Sequence, residues 1–518
     1  MRYNAAMRSY AVWLALILVV YLALAGLFAV LTPDWQAPDE PAHYNYIHQL
    51  TASGQFPVME MGDYNQAYLE RLTSERFPDT LPIGPLTYED HQPPLYYLLG
   101  ATVFRATRGD LTALRLLSVM LGALFVLFTA GLVRLIWPQR PELALGAAAF
   151  TAFLPMHLAM AASVNNDALA ELLLAALLFF SIRYVRLAWL GPHPPHPRHH
   201  ALLIGVLLGL ALITKVSAYV AAPAALAAPL VAWAAQPRRQ RTGQGFPWAA
   251  YGWMLVPALL LALPWYARNA VVYGNLDILA RGEHDAVVVG QLRTVELAAQ
   301  AGWGAVLQRF VVWTHDSFWG VFGWMGAWMD ARVYTALLAL TVALTIGAVS
   351  RPPAPAAGRM AVRAGLWVDG PAESRFRRWA LLALVSAALG TWLIYLAYNA
   401  LFVQTQARYL FPALPIISLA AAWGWQQVVQ RRIVARRAAL GLLLAALLAV
   451  GWGMGTQGQI NRWSLLILVS AAVALGGWSI LPERARRVAG GWLFALPFAA
   501  LALVALYALF AVVIPQLQ

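Results

Sequence analysis

The feature that most restricts this chain is a series of apolar runs, each about 20 residues long and free of charge, with short arginine clusters between them. Residues 11–31, 116–132, 379–401 and 463–481 are examples. A helix rises about 1.5 Å per residue, so such a run reaches across the ~30 Å of hydrocarbon in a bilayer. Lipid offers no hydrogen bonds. A crossing segment must therefore satisfy its own backbone, which a helix does internally. Only 11% of the 518 residues are charged, against roughly 25% in soluble domains, so most of the chain faces something other than water. The expected fold is all-α, a multi-pass transmembrane bundle of about 13 helices. The run behind Arg2 and Arg8 is longer than the roughly 7–15 apolar residues of a cleaved signal, which makes residues 1–31 an uncleaved first span.

Positive charge sorts the two sides of such a bundle, because cytoplasmic loops carry the excess of Lys and Arg. With Arg2 and Arg8 inside, basic clusters recur at every second turn. They are Arg134/Arg140, Arg183/Arg186/Arg198, Arg238/Arg239/Arg241, Arg351 to Arg378, Arg431 to Arg437 and Arg484/Arg486/Arg487. The loop at 32–94 is the reverse, with ten acids against two arginines, and belongs outside. The organisation that follows is a first span (1–31), a first outer loop (32–94), a transmembrane core (95–267), a second outer loop (268–331) and C-terminal transmembrane helices (332–518). A cytoplasmic linker at 351–378, rich in Pro, Ala, Gly and Arg, interrupts the last part and reads as disordered. The C-terminus is expected outside. The second outer loop carries Trp303, Trp313, Trp319, Trp324 and Trp328, which suit either an interfacial aromatic belt or a lining for a lipid or acceptor.

Composition also excludes some functions. The net charge of +13 is spread over scattered clusters and forms no continuous basic face, so nucleic acid is not an expected partner. There is no cysteine, hence no disulfide and no thiolate metal site. The His/Pro tract at 191–200 reads as a solvated turn.

Charge in or at the edge of a membrane is costly and therefore informative. In this chain it gathers at the outer ends of the spans. In APDEPAHYNYIHQL, residues 37–50, Asp39, His43, Tyr46 and Leu50 share one helix face, while Glu40 points about 100° away. Both acids also suit a helix N-terminus, whose free N–H groups favour anions. In YEDHQPPLYYLL, residues 88–99, Glu89, Asp90 and His91 precede two prolines and an apolar helix. In SVNNDALAELLL, residues 163–174, Asp167 and Glu171 stack at i, i+4. Like charges so placed repel, unless their face meets a polar cavity. Three lone cations complete the set. Lys215, the only lysine, lies at a hairpin near 213–218, Arg268 lies where a span emerges, and Arg408 lies where another enters. Such placement opposes the positive-inside trend and suits an anion, phosphate in particular.

Several of these pieces, in this order, resemble the GT-C superfamily of membrane glycosyltransferases, close to bacterial relatives of protein O-mannosyltransferases and lipid A aminoarabinose transferases. They are Asp39-Glu40 after the first span, His91-Gln92-Pro93-Pro94-Leu95-Tyr96, Asn165-Asn166-Asp167, Thr214-Lys215, Pro264-Trp265-Tyr266 with Arg268-Asn269, and Arg408-Tyr409 with Pro412. The resemblance covers roughly the first 410 residues. It implies amphipathic helices in the first outer loop and inverting transfer of a hexose or pentose from a polyprenyl-phosphate donor to an acceptor hydroxyl. It also implies a site on the periplasmic or extracellular face of the cell membrane. By this carry-over Asp39 is the catalytic base and Glu40 its partner, Lys215, Arg268 and Arg408 bind the donor phosphate, and Asp167 lines the cavity. His43, His91 and Glu171 are further candidates for the cavity or acceptor site. The implied partners are the lipid-linked sugar, a glycan, lipid or protein acceptor, and membrane lipid.

No cofactor is required by this chemistry. Asp39, His43, Glu89, Asp90 and His91 could offer oxygen and nitrogen ligands to a divalent metal, though their spacing is not diagnostic. Two other functions fit a polytopic chain, a transporter or flippase and a polysaccharide ligase acting on lipid-linked glycans. Transporters place charge near the midplane on broken helices, often with internal repeats. Here the span centres are nearly charge-free and no repeat is seen.

Overall fold

The computed structural model describes residues 2–190, 197–235, 245–274, 276–350, 370–457 and 461–518. Residues 191–196 of the His/Pro tract, the Arg238/Arg239/Arg241 cluster and residues 351–369 of the expected linker lie outside the described residues. The fold is all-α, apart from a short antiparallel pair, Val321–Phe322 with Ala327–Trp328.

Among the described residues, ten helices are long and apolar enough to cross a membrane, and a pair bent by 65°, Pro141–Phe153 with Pro155–Ala161, makes an eleventh pass. Pro155 explains the bend, since a residue before proline is driven from the helical region, and Leu154 adopts φ −64°, ψ 116°. Two shorter helices, Pro197–Leu212 and Leu414–Gln430, pack among these spans, so the count is roughly that expected. Leu95–Thr107 is not among them. Its 13 residues reach only about 20 Å. It packs across Glu40–Ser53 at the end of the bundle that carries Asp39.

Helix burial is graded. In Asp167–Leu190 the apolar window is 83% buried, against 28% in Arg8–Leu31. The first is the central post; the second shows Val12, Leu16 and Val19 outward, as a lipid-facing helix must. Helices in lipid gain little from hydrophobic exclusion of one another and associate where small residues allow close approach. Gly347 of Ala331–Val349 and Gly424 of Leu414–Gln430 meet in this way. A Cβ on Gly347 would stand 2.0 Å from the Gly424 carbonyl oxygen.

The two long loops fold together over the Asp39 end. Met59, Leu72, Phe77 and Leu86 of the first pack with Val287 and Val288 of the second in a small core separate from that of the bundle. Within it, Gln66–Ser74 is an amphipathic helix that buries Leu69 and Leu72 and exposes Glu70 and Arg71. The expected linker is shorter than 351–378 at its far end. Pro371 opens a helix, Pro371–Leu401, so residues 371–378 belong to it. Proline suits that first-turn position because its missing N–H has no intrahelical partner there.

One buried ion pair ties the first loop to the bundle. The Arg115 guanidinium donates to both Glu40 oxygens, at 2.8 and 2.6 Å, and both side chains are sealed from solvent. Removing one member of such a pair strands the other charge, at about 3–5 kcal/mol. Glu40→Ala is therefore expected to lower the unfolding temperature in detergent markedly, whereas exchange of the exposed Glu75 leaves it unchanged. An equal melting temperature for Glu40→Ala and the parent protein would refute this anchoring role.

Candidate active site

Asp39 caps the Glu40–Ser53 helix from the left-handed region, at φ 68°. Asp and Asn tolerate that region better than most residues. The conformation turns Asp39 and Glu40 to opposite sides. Glu40 enters the bundle, where Arg115 and the Val164 amide (3.1 Å) hold it. Asp39 faces a cavity of about 270 Å³. There Arg408 donates from Nη2 to Oδ2 at 2.6 Å, and the Tyr88 hydroxyl donates to Oδ1 at 3.1 Å. The cavity is lined by both long loops, through Tyr64, Glu89, His284 and Trp324, and by the C-terminal half, through Tyr398, Gln406 and Tyr409.

Arg408 reaches this place from a tight turn, Ala407–Ala413, that leads into Leu414–Gln430. It is buried, its Nε donates to the Gln406 Oε1 at 2.9 Å, and its Nη1 has no partner. Lys215 lies between Pro197–Leu212 and the following turn and grips Asp167 Oδ1 at 2.7 Å. The two ion pairs feel one another. Burial alone would raise the Asp39 carboxyl, but Arg408 most of all, then His43 and Lys215, bring it below the usual carboxylate range. Burial alone would lower the Lys215 ammonium, yet Asp167 and Glu89 raise it. Both remain charged at neutral pH.

Their neighbours do not. Burial, reinforced by the Asp39 charge, pushes Glu89 up to about 8, and its Oε2 has no partner. Burial pushes Asp90 up to about 8 as well, while Gln49 donates to its Oδ2 at 2.8 Å. Burial, with the Lys215 charge behind it, lowers His43 to about 3; burial, then His284, lowers His91 to about 3. At pH 7 the cluster thus holds the Asp39 carboxylate, two cations, two neutral acids and two neutral imidazoles.

The structure brings together Asp39, Asp167, Lys215, Arg408 and Glu89, and leaves other candidates elsewhere. Glu40 is no neighbour of the cavity. Arg268 instead donates to the Phe56 and Pro57 carbonyls and to Asn269, and stacks over Trp265. Glu171, one turn below Asp167, pairs with His157 at 3.1 Å, so the two stacked carboxylates have separate partners. His43 Nδ1 is engaged by the Tyr97 hydroxyl at 2.8 Å, and His91 sits between the Tyr88 carbonyl and the His284 ring. Among the described residues no three acidic or imidazole groups converge in a way that could hold a metal. Arg115, His157 and Tyr88 were not singled out by sequence. For Arg115 a signal existed, a lone arginine one turn into an apolar run; for the others only the fold supplies it.

Residues 91–266 match the family model described as dolichyl-phosphate-mannose-protein mannosyltransferase. The match spans His91, Asp167 and Lys215 in the order read from the sequence. Over that third of the chain the protein is similar to this family of glycosyltransferases. No curated protein sequence matches it. Solved structures similar to this chain include ArnT from Cupriavidus metallidurans bound to undecaprenyl phosphate, with TM-score 0.47 and 13% identity over 98% of this chain and 76% of that one. The apo form of that protein gives 0.48 and 14% over 99% and 77%. The archaeal oligosaccharyltransferase AglB from Archaeoglobus fulgidus, in complex with an inhibitory peptide and a dolichol-phosphate, gives 0.39 and 13% over 90% and 55%.

The neutral acids give the site a pH signature. A carboxyl raised by folding binds its proton more tightly in the native state, so stability falls as pH rises from the unfolded value near 4 to the folded value near 8. Asp90→Asn keeps the neutral form at every pH. Its melting temperature is expected to exceed the parent protein's by a margin that widens from pH 5 to pH 8.5, with a margin that does not change with pH as the contrary result.

Proposed function

We propose that this protein transfers a sugar from a polyprenyl-phosphate donor to an acceptor hydroxyl, with inversion, and that Asp39 is the catalytic base. The observation that carries this is the Asp39–Arg408 pair on the cavity wall: a carboxylate kept ionised beside a guanidinium that still has an unpaired N–H edge. The match of residues 91–266 to a family named for a dolichyl-phosphate sugar donor supports the donor class.

The acceptor hydroxyl attacks the anomeric carbon while Asp39 accepts its proton. The new C–O bond forms as the bond to the phosphate oxygen breaks, and the electron pair leaves with the lipid phosphate. A phosphate is a good leaving group, so this route needs no second carboxyl as acid, unlike glycoside hydrolysis. One displacement inverts the centre. Negative charge thereby moves from Asp39 to the departing phosphate, which goes from monoanion to dianion. Arg408, through its unpaired Nη1, and Lys215 are the cations that would stabilise it, and preorganised charge of this kind is usually the largest catalytic contribution. Glu89, protonated, can donate a hydrogen bond to donor or acceptor. Arg268 secures the first loop, and Glu40 positions Asp39 from behind.

The arginine-rich end of the bundle, with Arg140, Arg186 and Arg431, would face the cytoplasm by the positive-inside tendency. That puts the Asp39 cavity on the periplasmic or extracellular face of the cell membrane.

Purified protein with a labelled polyprenyl-phosphate sugar and a candidate acceptor tests the reading. Asp39→Asn keeps a residue that tolerates the left-handed backbone and should fold normally. Its turnover should drop by about three orders of magnitude or more, as for the loss of a residue that acts only in the transition state. Arg408→Gln and Lys215→Met should raise the donor KM and lower turnover. Transfer by Asp39→Asn at the parent rate would eliminate the assignment.

A further inference from the structure

At the arginine-rich end, away from the Asp39 cavity, a polar hollow of about 360 Å³ opens beside the start of the Glu483–Tyr507 helix. Arg486 is its innermost cation, only 9% exposed. Its Nη2 donates to the Val429 carbonyl at 2.8 Å, and the guanidinium lies over Trp478, 5.5 Å from the ring centroid. Its Nε has no partner. A buried charged donor left unpaired is costly, and such an atom calls for an explanation.

The surrounding charge is accounted for. Arg487 pairs with Glu483 at 2.6 Å. The Gln426 amide donates to Glu142 at 3.0 Å and its oxygen accepts from Arg140 at 3.2 Å. Arg432 donates to the Leu481 carbonyl. Two carboxylates and two arginines thus line the hollow, with Arg140 and Arg432 beside it, and Arg486 is the lining cation that no carboxylate pairs.

This hollow shares Glu142, Gly491 and Phe494 with a second one of about 640 Å³. Apart from Glu142 at its mouth, the second is an apolar groove, running between Trp13, Leu16 and Val20 of the first helix and Phe498 and Ala502 of the last. A pocket with an unpaired, buried guanidinium N–H that opens into an apolar groove along two membrane-crossing helices has the shape of an amphiphile with a phosphate head. Basic pockets between helices on this face are suited to lipid headgroups.

We propose that this is a structural glycerophospholipid site, with the lipid phosphate on Arg486 and one acyl chain along the groove between the first and last helices. The occupant would bridge the two ends of the chain, which otherwise touch little along this seam. The proposal is independent of the transfer reaction.

Native mass spectrometry of the delipidated full-length protein, titrated with phosphatidylglycerol, phosphatidylethanolamine or diacylglycerol, tests it. Both phospholipids should bind at least tenfold more tightly than diacylglycerol. Arg486→Gln should weaken phosphatidylglycerol about tenfold. Ala499→Trp, at an exposed position that fills the groove, should do the same without changing the pocket's charge, and it remains informative if the arginine variant fails to fold. Equal binding of diacylglycerol and phosphatidylglycerol would overturn the proposal. So would unchanged binding in Ala499→Trp, or full displacement of the lipid by millimolar inorganic phosphate, which would show that the groove contributes nothing.

Discussion

Arg115 sits sealed in the bundle with five hydrogen bonds, two to Glu40 and three to the carbonyls of Ala29, Thr32 and Pro33. It caps the end of the first membrane helix and clamps the start of the first loop in one stroke. A cation so enclosed has almost no latitude, because any shift would leave charge unpaired in a low-dielectric interior. Everything at the cavity is registered against this clamp. Glu40 is pulled inward, and the left-handed turn at Asp39 is held in place by the residue that follows it. The Asp39 carboxylate is thereby aimed the other way, towards Arg408. Two adjacent acids of similar chemistry thus acquire unrelated roles through direction alone.

The electrostatics of the cavity follow from crowding rather than from any one strong contact. Asp39 and Asp167 each have a cation within hydrogen-bond distance. Further ionisation nearby would have to be purchased against both desolvation and like charge. Glu89 and Asp90 therefore keep their protons, the opposite of what their types suggest in isolation, and His43 and His91 stay neutral. The cluster is close to neutral while retaining an ionised carboxylate and an unpaired cationic edge. Such a site can move a proton and a negative charge in opposite senses without changing its total charge. That economy matters at the edge of a low-dielectric bundle, where net charge is expensive.

The apolar runs and the approximate number of spans were legible in sequence, because span length is a local property. A separation of Asp39 from Glu40 was expected from helical periodicity, but the left-handed turn at Asp39, outside the helix, is what sends the two apart. What lay at the end of each direction was not legible. Glu40 and Arg115 are 75 residues apart, and Arg408 and Asp39 are 369 apart. Periodicity says which face a residue occupies, not which helix meets that face. The same gap explains Glu171, whose partner His157 follows a proline bend, and Arg268. That arginine emerges at the correct end but finds two carbonyls of the first loop before it can reach the cavity.

The matched segment, residues 91–266, contains Asp167 and Lys215 but neither member of the Asp39–Arg408 pair. One arrives from the loop before it, the other from a turn after more than a hundred further residues. Each depends on structure outside the match: Asp39 on the Arg115 clamp and the Tyr88 hydroxyl, Arg408 on the turn that opens Leu414–Gln430. The cavity is a joint between the first outer loop and the C-terminal half, its lining residues all lying before residue 91 or after residue 266, and the matched segment stands behind it with the Asp167–Lys215 pair. A joint of that kind concentrates constraint on charge and position at the contact, and leaves the helices that deliver each side chain free to vary in apolar composition.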